Sequence, residues 1–499
     1  VDATIQKTLN LTADQLRAVD AAMAVADSAG HMSLIGPAGC GKTTTIRAIA
    51  HELQSHFKRK RVLLLAPTHK ARRQFQAAEL PKRVDTWTIQ SFCKVKQQTW
   101  RDQDRFVVSN SGELETIERV KRSYCVVIVD ESSMVSSDLA AKTLDICQSA
   151  GVGLIFSGDP YQLPPVKAAA RSEAEADGPD VDEVESELAP QFIHAPLVVR
   201  LDKVLRHDGP ILDFATKIRR EWERVHSFPI SSTKTDQSEI AVVKDPAREF
   251  IDHFARLYQQ VQDGVIDEAD LYAQAPRALC FENKNVRALT RQLRSRIYGN
   301  IAQSQWGKGE IIMFPSYTYA LPRPIHSSTD AVIVRSAVVE VNEKTETIKW
   351  QTPSRNLDRE CELYFEGRFQ QLAVFLVNPD GSVDDSMEYI VHCPLLDDGD
   401  ARKSYAKLNE NLKAVRINGR PLPDKHSAWD WLKSIKDNYL AHITSAFVMT
   451  VHKSQGSTFP HVYVGRDLLH RDDKETRNPL LYVAATRAAK SITFGKVNA

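Results

Sequence analysis

Long apolar runs are missing from this chain. None approaches the roughly 18 residues that a membrane-spanning helix needs, and Val1-Asp2-Ala3-Thr4 does not open a charged-then-apolar leader. A soluble, cytoplasmic protein with no membrane partner is expected. Paired cysteines are missing too: Cys40, Cys93, Cys125, Cys147, Cys280, Cys361 and Cys393 are scattered, with no CxxC pair and no histidine at ligand spacing. That excludes a disulfide framework and predicts reduced thiols without structural zinc. Net charge is nearly absent, since 65 Lys and Arg stand against 64 Asp and Glu, a formal +1. Bulk charge alone therefore cannot hold nucleic acid or an anionic membrane, and any basic surface must be local. What is present is 499 residues, 42% hydrophobic and 26% charged, enough for several buried cores and too apolar for disorder.

The first 165 residues alternate short β-branched runs with polar, helix-like stretches. Ser33-Leu34-Ile35, Arg61 to Leu65, Cys125 to Val129 and Gly153 to Phe156 are bounded by Gly, Pro or Asp, as buried parallel strands joined by helices are. Between Thr88 and Tyr124 the pattern lapses. Gln97 to Asn110 is too long for a simple strand-to-helix connection and predicts an inserted hairpin or small subdomain. Residues 172–190 hold eight acids and no base, a solvated loop that cannot form a core. A second α/β unit begins near residue 197, with helical patterns at Ile211 to Val225 and Val286 to Tyr298 around the strand-like Ala278 to Phe281. From about 331 to 420 short alternating strands predict a small antiparallel barrel or sheet, after which Ala446 to Thr450 and Val462 to Val464 resume the second unit. The resulting division is 1–86 and 123–196 for the first unit, 87–122 for its insert, 197–330 and 441–499 for the second unit, and 331–440 for the β-rich insert.

Gly36-Pro37-Ala38-Gly39-Cys40-Gly41-Lys42-Thr43 follows an apolar strand and opens the helical Thr44 to Leu53. In that setting backbone amides and a helix N-terminus wrap phosphates, Lys42 neutralises the β/γ charge, and the Thr43 hydroxyl binds Mg²⁺. The strand Cys125 to Val129 runs into Asp130-Glu131. The first carboxylate is expected to hold the metal's water shell and the second to orient and deprotonate the attacking water. Gly158 to Pro165 follows another core strand, and its Gln162 is expected to sense the γ-phosphate. Together these make a nucleoside triphosphatase.

The chain resembles the superfamily 1 helicases, specifically the RecD/Dda-like B branch. The resemblance rests on strings in the family's order: Leu11 to Gln15 (Q motif), the P-loop, Ala66 to Ala71 (Ia), Thr88 to Phe92 (Ib), Val129 to Met134 (II), Gly158 to Val166 (III), Leu201 to Arg206 (IV), Thr450 to Ser457 (V) and Leu481 to Ala488 (VI). It implies two RecA-like P-loop domains in tandem with ATP and Mg²⁺ in the cleft between them, a small inserted pin subdomain and an inserted β-rich domain like a Src-homology-3 barrel. Gln15 is then expected at the adenine, with Thr44 and Gly456 lining the nucleotide site. Arg206 and Arg487 are expected to reach across from the second domain as arginine fingers, stabilising transition-state charge only when the cleft is shut.

The same resemblance places DNA across both domains. Pro67, Thr68, His69, Ser91, Phe92, Asn283, Thr450, His452, Lys453 and Ser454 are the expected contacts, most of them groups that meet phosphates without reading bases. Trp100 and Phe106 are the candidate strand-separating aromatics of the pin, and Trp429 and Trp431 are candidates to pack the β-rich insert against the motor. One departure is Glu282, standing after Phe281 where the family has a Thr/Ser–Asn pattern. The reading is an ATP-dependent helicase that translocates 5′→3′ on single-stranded DNA as a monomer and opens fork or tailed duplexes, with replication, recombination or repair proteins as partners. An RNA helicase of the same branch, a non-motor nucleotide switch and a recombination subunit stay open as alternatives.

Overall fold

A computed structural model describes residues 9–69, 71–72, 80–100, 103–108, 112–165, 188–205, 209–222, 224–225, 228–299, 304–326, 329–344, 348–351, 358–361, 364–378, 381–396, 400–417, 420–423, 426–469 and 474–496. The acidic block therefore lies outside the described residues, except for 188–190, and so does Arg206. Among the described residues no helix is long and apolar enough to cross a membrane, and no cluster of His, Cys, Asp and Glu could hold a metal by itself.

The first sheet takes its strands from β1 (His31–Ile35), β2 (Arg61–Ala66), β3 (Val84–Thr88), β6 (Tyr124–Val129), β7 (Gly153–Gly158) and β8 (Leu197–Arg200), in the order β3-β2-β6-β7-β1-β8. All neighbours are parallel, and β6 and β7 are buried at every residue, as continuous Val/Ile/Leu runs require when helices cover both faces. Helix α1 (Ala13–Ser28) buries Gln15, Ala18, Val19, Ala22 and Val25, an i, i+3, i+4 stripe; Thr12 caps it reciprocally with Gln15. Helix α2 (Lys42–His56) follows the P-loop. Between β3 and β6 the chain forms the hairpin β4 (Val95–Trp100) and β5 (Gln103–Val108), antiparallel, with Gln97 opposite Phe106 and Trp100 opposite Gln103. The side chains of Trp100 and Phe106 lie outside the described residues.

The second sheet is built from β9 (Thr233–Lys234), β10 (Glu239–Val243), β11 (Arg277–Cys280), β21 (Val448–Thr450), β22 (Phe459–Val464) and β23 (Ala488–Gly495), in the order β21-β11-β22-β23-β10-β9. It is parallel except for the short edge strand β9. Helices α3 (Pro210–Glu221), α4 (Asn283–Tyr298) and, at the end of the chain, one over Lys474–Arg487 accompany it.

The third sheet is antiparallel, in the order β17-β16-β13-β12-β20, from β12 (Ile311–Phe314), β13 (Thr329–Lys344), β16 (Tyr364–Val377), β17 (Val383–Pro394) and β20 (Thr444–Ser445). Small hairpins β14 (Ile348–Gln351) with β15 (Asp358–Cys361), and β18 (Arg416–Ile417) with β19 (Arg420–Pro421), complete the strands.

The fold is the expected tandem α/β architecture, with differences in detail. Strand β8 pairs with β1, so the chain near 197 still belongs to the first sheet; Leu197-Val198-Val199 completes an edge there rather than opening the second unit. The third sheet draws in β12 and β20 from outside 331–440, because their backbone groups pair on either side of Ile312 and Met313. Within the insert, α5 (Asp400–Ala414) and α6 (Ser427–Tyr439) occupy a stretch whose strand-like texture hid helices. Trp429 packs with Val341, Phe365, Phe369, Tyr405, Leu408 and Leu412, with Trp431 against the same cluster. These tryptophans therefore anchor the two helices to the far end of the β13–β16 ribbon rather than to the motor. The Lys474–Arg487 helix is α7.

Candidate functional site

Strand β1 delivers the P-loop, and Gly41 turns it into α2 through φ +86°, a left-handed conformation that suits glycine. Lys42 folds back, its Nζ donating to the carbonyls of Gly36 at 2.7 Å and Pro37 at 3.1 Å. A cleft is lined by Ala38, Gly39, Gly41, Lys42, Thr43, Thr44, Asp130, Glu131, Gln162, Gly456 and Arg487. Most of the residues expected at a nucleotide are thus brought together from both sheets.

Asp130 follows β6, its Oδ1 accepting the Ser157 hydroxyl at 2.9 Å. Burial, then the neighbouring Glu131 charge, pushes its carboxyl up to about 6. Glu131 sits at φ 49°, a left-handed backbone that a non-glycine residue adopts at a cost of about 1–3 kcal/mol, and starts the short helix Ser132–Met134. Its Oε2 and the Oε1 of Gln162 are buried without hydrogen-bond partners. Both atoms belong to residues that line the cleft, and such strain and unmet polarity suit a site that awaits a ligand.

Gln162 lies between Tyr161 and Leu163, which pack into the second domain's core, and Gln455 Nε2 donates to the Leu163 carbonyl at 3.3 Å. Tyr161 meets Trp222 and Tyr482 edge-on at 5.6 and 6.4 Å. Arg487, 4% exposed, donates to the carbonyls of Ser457 at 3.0 Å and Val483 at 3.3 Å, and to Thr486 Oγ1 at 3.0 Å. Motif V thus cradles it at the cleft wall.

Other expected positions fall differently. Gln15 is 1% exposed, with its Oε1 accepting Thr12 N–H at 2.9 Å and its Nε2 donating to the carbonyls of Gly41 at 3.4 Å and Cys40 at 3.5 Å. Here it braces the P-loop from behind. The string ending at Arg206 belongs to the first domain's side, since Leu201 N–H donates to Ile35 and Leu205 N–H to Gly39, each at 2.8 Å. Apolar pairing beside β1 holds it there, which corrects the expectation that this string comes from the second domain.

Among the DNA candidates, Phe92 is 0% exposed within the first core, so it is a packing residue rather than a strand contact. Ser454 is likewise 0% exposed and gives its hydroxyl to the Val451 carbonyl at 2.6 Å, because it closes a short helical turn. Thr450, 2% exposed, accepts Lys453 N–H at 3.4 Å, and His452 is 8% exposed with its ring 6.3 Å from Phe281. Thr68 Oγ1 accepts Ala71 N–H at 3.1 Å, Pro67 offers its carbonyl to Gln90 at 3.0 Å, and exposed Ser91 accepts the Thr88 hydroxyl at 2.8 Å. Asn283 opens α4, half-buried. Before it, Glu282 pairs with Lys284 at 2.6 Å, so the departure from the family pattern is filled by an ion pair.

Three residues escaped the sequence reading. His326, just before β13, stacks on His69 with 3.5 Å between ring centroids and 6° between planes, and no local pattern marks it. Asp159 and Tyr482 stand inside strings III and VI, where nothing in the spacing singles them out; Tyr482 donates its hydroxyl to Asp159 at 2.7 Å.

Comparison with known proteins agrees with this geometry. The AAA domain family matches residues 10–185, and the UvrD-like helicase C-terminal domain matches residues 445–494. Over 501 residues the chain is 23% identical to the ATP-dependent DNA helicase dda of Enterobacteria phage T4, covering 97% of this chain and 99% of that protein. It is 21% identical over 492 residues to an uncharacterized protein of Acanthamoeba polyphaga mimivirus, covering 92% and 94% of the two chains. Pif1 helicase from Candida albicans superposes with a TM-score of 0.46 at 15% identity, over 98% of this chain and 95% of that one. Bacteroides Pif1 in complex with ADP-AlF3 and ssDNA gives 0.47 at 15% identity, over 97% and 92%. With its motif strings in order and family matches over residues 10–185 and 445–494, the chain is similar to the superfamily 1B helicases of the RecD/Dda type.

Proposed function

We propose that this chain moves 5′→3′ along single-stranded DNA and opens fork or tailed duplexes, closing its two RecA-like domains on Mg-ATP and parting them after hydrolysis. Its reaction class is that of an ATP-dependent DNA helicase. The observation that carries the reading is one cleft in which Lys42, Thr43, Asp130 and Glu131 of the first sheet face Gly456 and Arg487 of the second.

Oxygen donors on Thr43 and Asp130 are the hard set Mg²⁺ prefers, and Asp130, made hard to ionise by burial, fits a site meant for a cation. When bound, the ion neutralises charge building on the phosphates. Lys42, now on carbonyls of its own loop, would turn to the phosphates, and Glu131 would take a proton from water through the carboxylate oxygen that has no partner. Arg487 completes the charge only when the second domain closes, so hydrolysis is gated by closure. Gln162 carries the γ-phosphate's presence into the second domain through Tyr161 and Leu163.

The phosphate-directed residues, with His69 beside His326, favour sequence-independent grip. The β4–β5 hairpin is the candidate pin. One chain supplies both sides of the cleft, which supports action as a monomer. The test is strand displacement on 5′- and 3′-tailed duplexes with and without ATP, alongside Lys42→Ala. Unwinding from 5′ tails that the variant abolishes is expected; unwinding from 3′ tails alone would overturn the polarity, and stronger stimulation by RNA than by DNA oligomers would reassign the substrate.

A further inference from the structure

We propose that Asp159 and Tyr482 form a positioning pair that ties the P-loop to the arginine-bearing helix and times closure of the cleft. The inference rests on the helicase reading and extends it to two residues outside the phosphate-binding set.

Asp159 follows β7 and is 0% exposed. Its donors among the described residues are neutral and come from three parts of the chain. Its Oδ2 accepts the Ala38 amide of the P-loop at 3.1 Å and the Tyr482 hydroxyl of α7 at 2.7 Å, while Oδ1 accepts the Tyr161 amide at 3.1 Å. A single oxygen therefore touches both domains. Tyr482 is 1% exposed; its burial, then the Asp159 charge, keep the phenol protonated and donating.

The coupling follows from sharing. Backbone amides of a P-loop turn toward phosphate oxygens when a nucleotide is bound. An arriving phosphate competes for the Ala38 amide, and Asp159 is then left to its Tyr161 and Tyr482 donors. A buried carboxylate that loses one donor binds the remaining ones harder. The bond across the domains tightens as the nucleotide enters. Tyr482 lies five residues before Arg487 on α7, so drawing its hydroxyl inward sets how deep that helix sits. At rest the Arg487 guanidinium is parked on Ser457 and Thr486, which makes its delivery a step that something must drive.

Tyr482→Phe removes only the hydroxyl, and ring packing with Tyr161 is kept. The expected result is a fall of about tenfold or more in kcat for single-strand-stimulated ATP hydrolysis, with KM for ATP raised by no more than about threefold, since Asp159, one donor short, holds the Ala38 amide harder while the other phosphate-binding groups stay in place. Asp159→Asn should lower kcat similarly, and the double variant should be no worse than the weaker single one. A merely structural role predicts instead that the two losses multiply and that thermal unfolding shifts with them. Closure is read separately, as energy transfer between dyes on the two domains on adding ADP with aluminium fluoride. Tyr482→Phe closing like the wild type overturns the pair whatever the hydrolysis rates, as does kcat within twofold of wild type. If wild-type hydrolysis ignores single strands while closure still depends on Tyr482, the helicase reading falls and the pair stands.

Discussion

Gly41 and Gln15 offer a cycle that tests how the P-loop is held. A Cβ on Gly41 would stand 2.4 Å from Gln15 Nε2 and 3.4 Å from a Leu205 methyl, at φ +86°. Left-handed backbone costs an L-residue about 1–2 kcal/mol. The Gln15 amide cannot swing aside cheaply, because its Oε1 holds the Thr12 N–H at the α1 cap; breaking that reciprocal cap adds about 1 kcal/mol. Gly41→Ala should therefore weaken this corner by about 2–3 kcal/mol, and Gln15→Ala, which loses the cap and the brace, by about 1–2 kcal/mol. In the double variant the collision is gone and the cap is lost only once. The two losses should then fall short of additivity by about 1 kcal/mol. Hydrogen exchange of the first α2 amides reads this local opening, and a fluorescent ATP analogue reads its effect on nucleotide binding. Additive losses within about 0.3 kcal/mol would refute the contact as the cause. So would unchanged nucleotide affinity in Gly41→Ala.

Glu131→Gln should keep nucleotide affinity and lose about 10²- to 10⁴-fold in hydrolysis, since the amide fills the same space without accepting a proton; loss of binding instead would make Glu131 structural. Phe106→Ala or Trp100→Ala should abolish strand separation while strand-stimulated hydrolysis persists, and unchanged unwinding would remove both rings from the pin. His253, its Nδ1 3.0 Å from the Tyr463 hydroxyl, is pushed down from 6.5 to about 4 by burial first and then by His461 and Arg256. The unfolded chain therefore takes up this proton first on acidification. Stability is full above about pH 6.5 and falls toward pH 4, by about 2 kcal/mol once partial exposure is allowed for. Denaturant midpoints at pH 7.5 and 5 should diverge less in His253→Gln, and an equal divergence would exclude this residue as the cause.

Much of the candidate nucleotide cleft was legible because a P-loop is a local device: strand, glycine turn, lysine and the start of the helix lie within residues 31–42. Asp130 and Glu131 were legible for the same reason, at the end of a fully buried strand. Distant pairing was not. Leu197–Arg200 looks the same in sequence whether it closes one sheet or opens another; only its register against Met32–Ile35 decides. Phe92 and Ser454 stand beside the more accessible Ser91 and Lys453 in their motif strings, and which side chain a helical turn points inward is something a string cannot display. The His69–His326 stack joins residues more than 250 positions apart and has no sequence signal at all.

The placement of string III supports the proposed conversion of nucleotide state into domain position. By chain order it ends a strand of the first sheet, but Tyr161 and Leu163 pack in the core beneath the second, so Gln162 is fixed to both. Close-packed interiors shift between discrete arrangements rather than yielding continuously, so in the proposed cycle a phosphate met by Gln162 would shift the second domain as a body. The charge pattern fits the other half of the cycle. Removing the eight acids of 172–190 takes the rest of the chain from +1 to +9, a moderate basic excess rather than a large one. Each phosphate neutralised adds about one unit to the salt slope of binding, and a motor that lets go at every step cannot afford many. Affinity for an oligonucleotide should therefore depend on salt with a slope of only a few, and a slope near ten would mean a static clamp instead of a stepping grip.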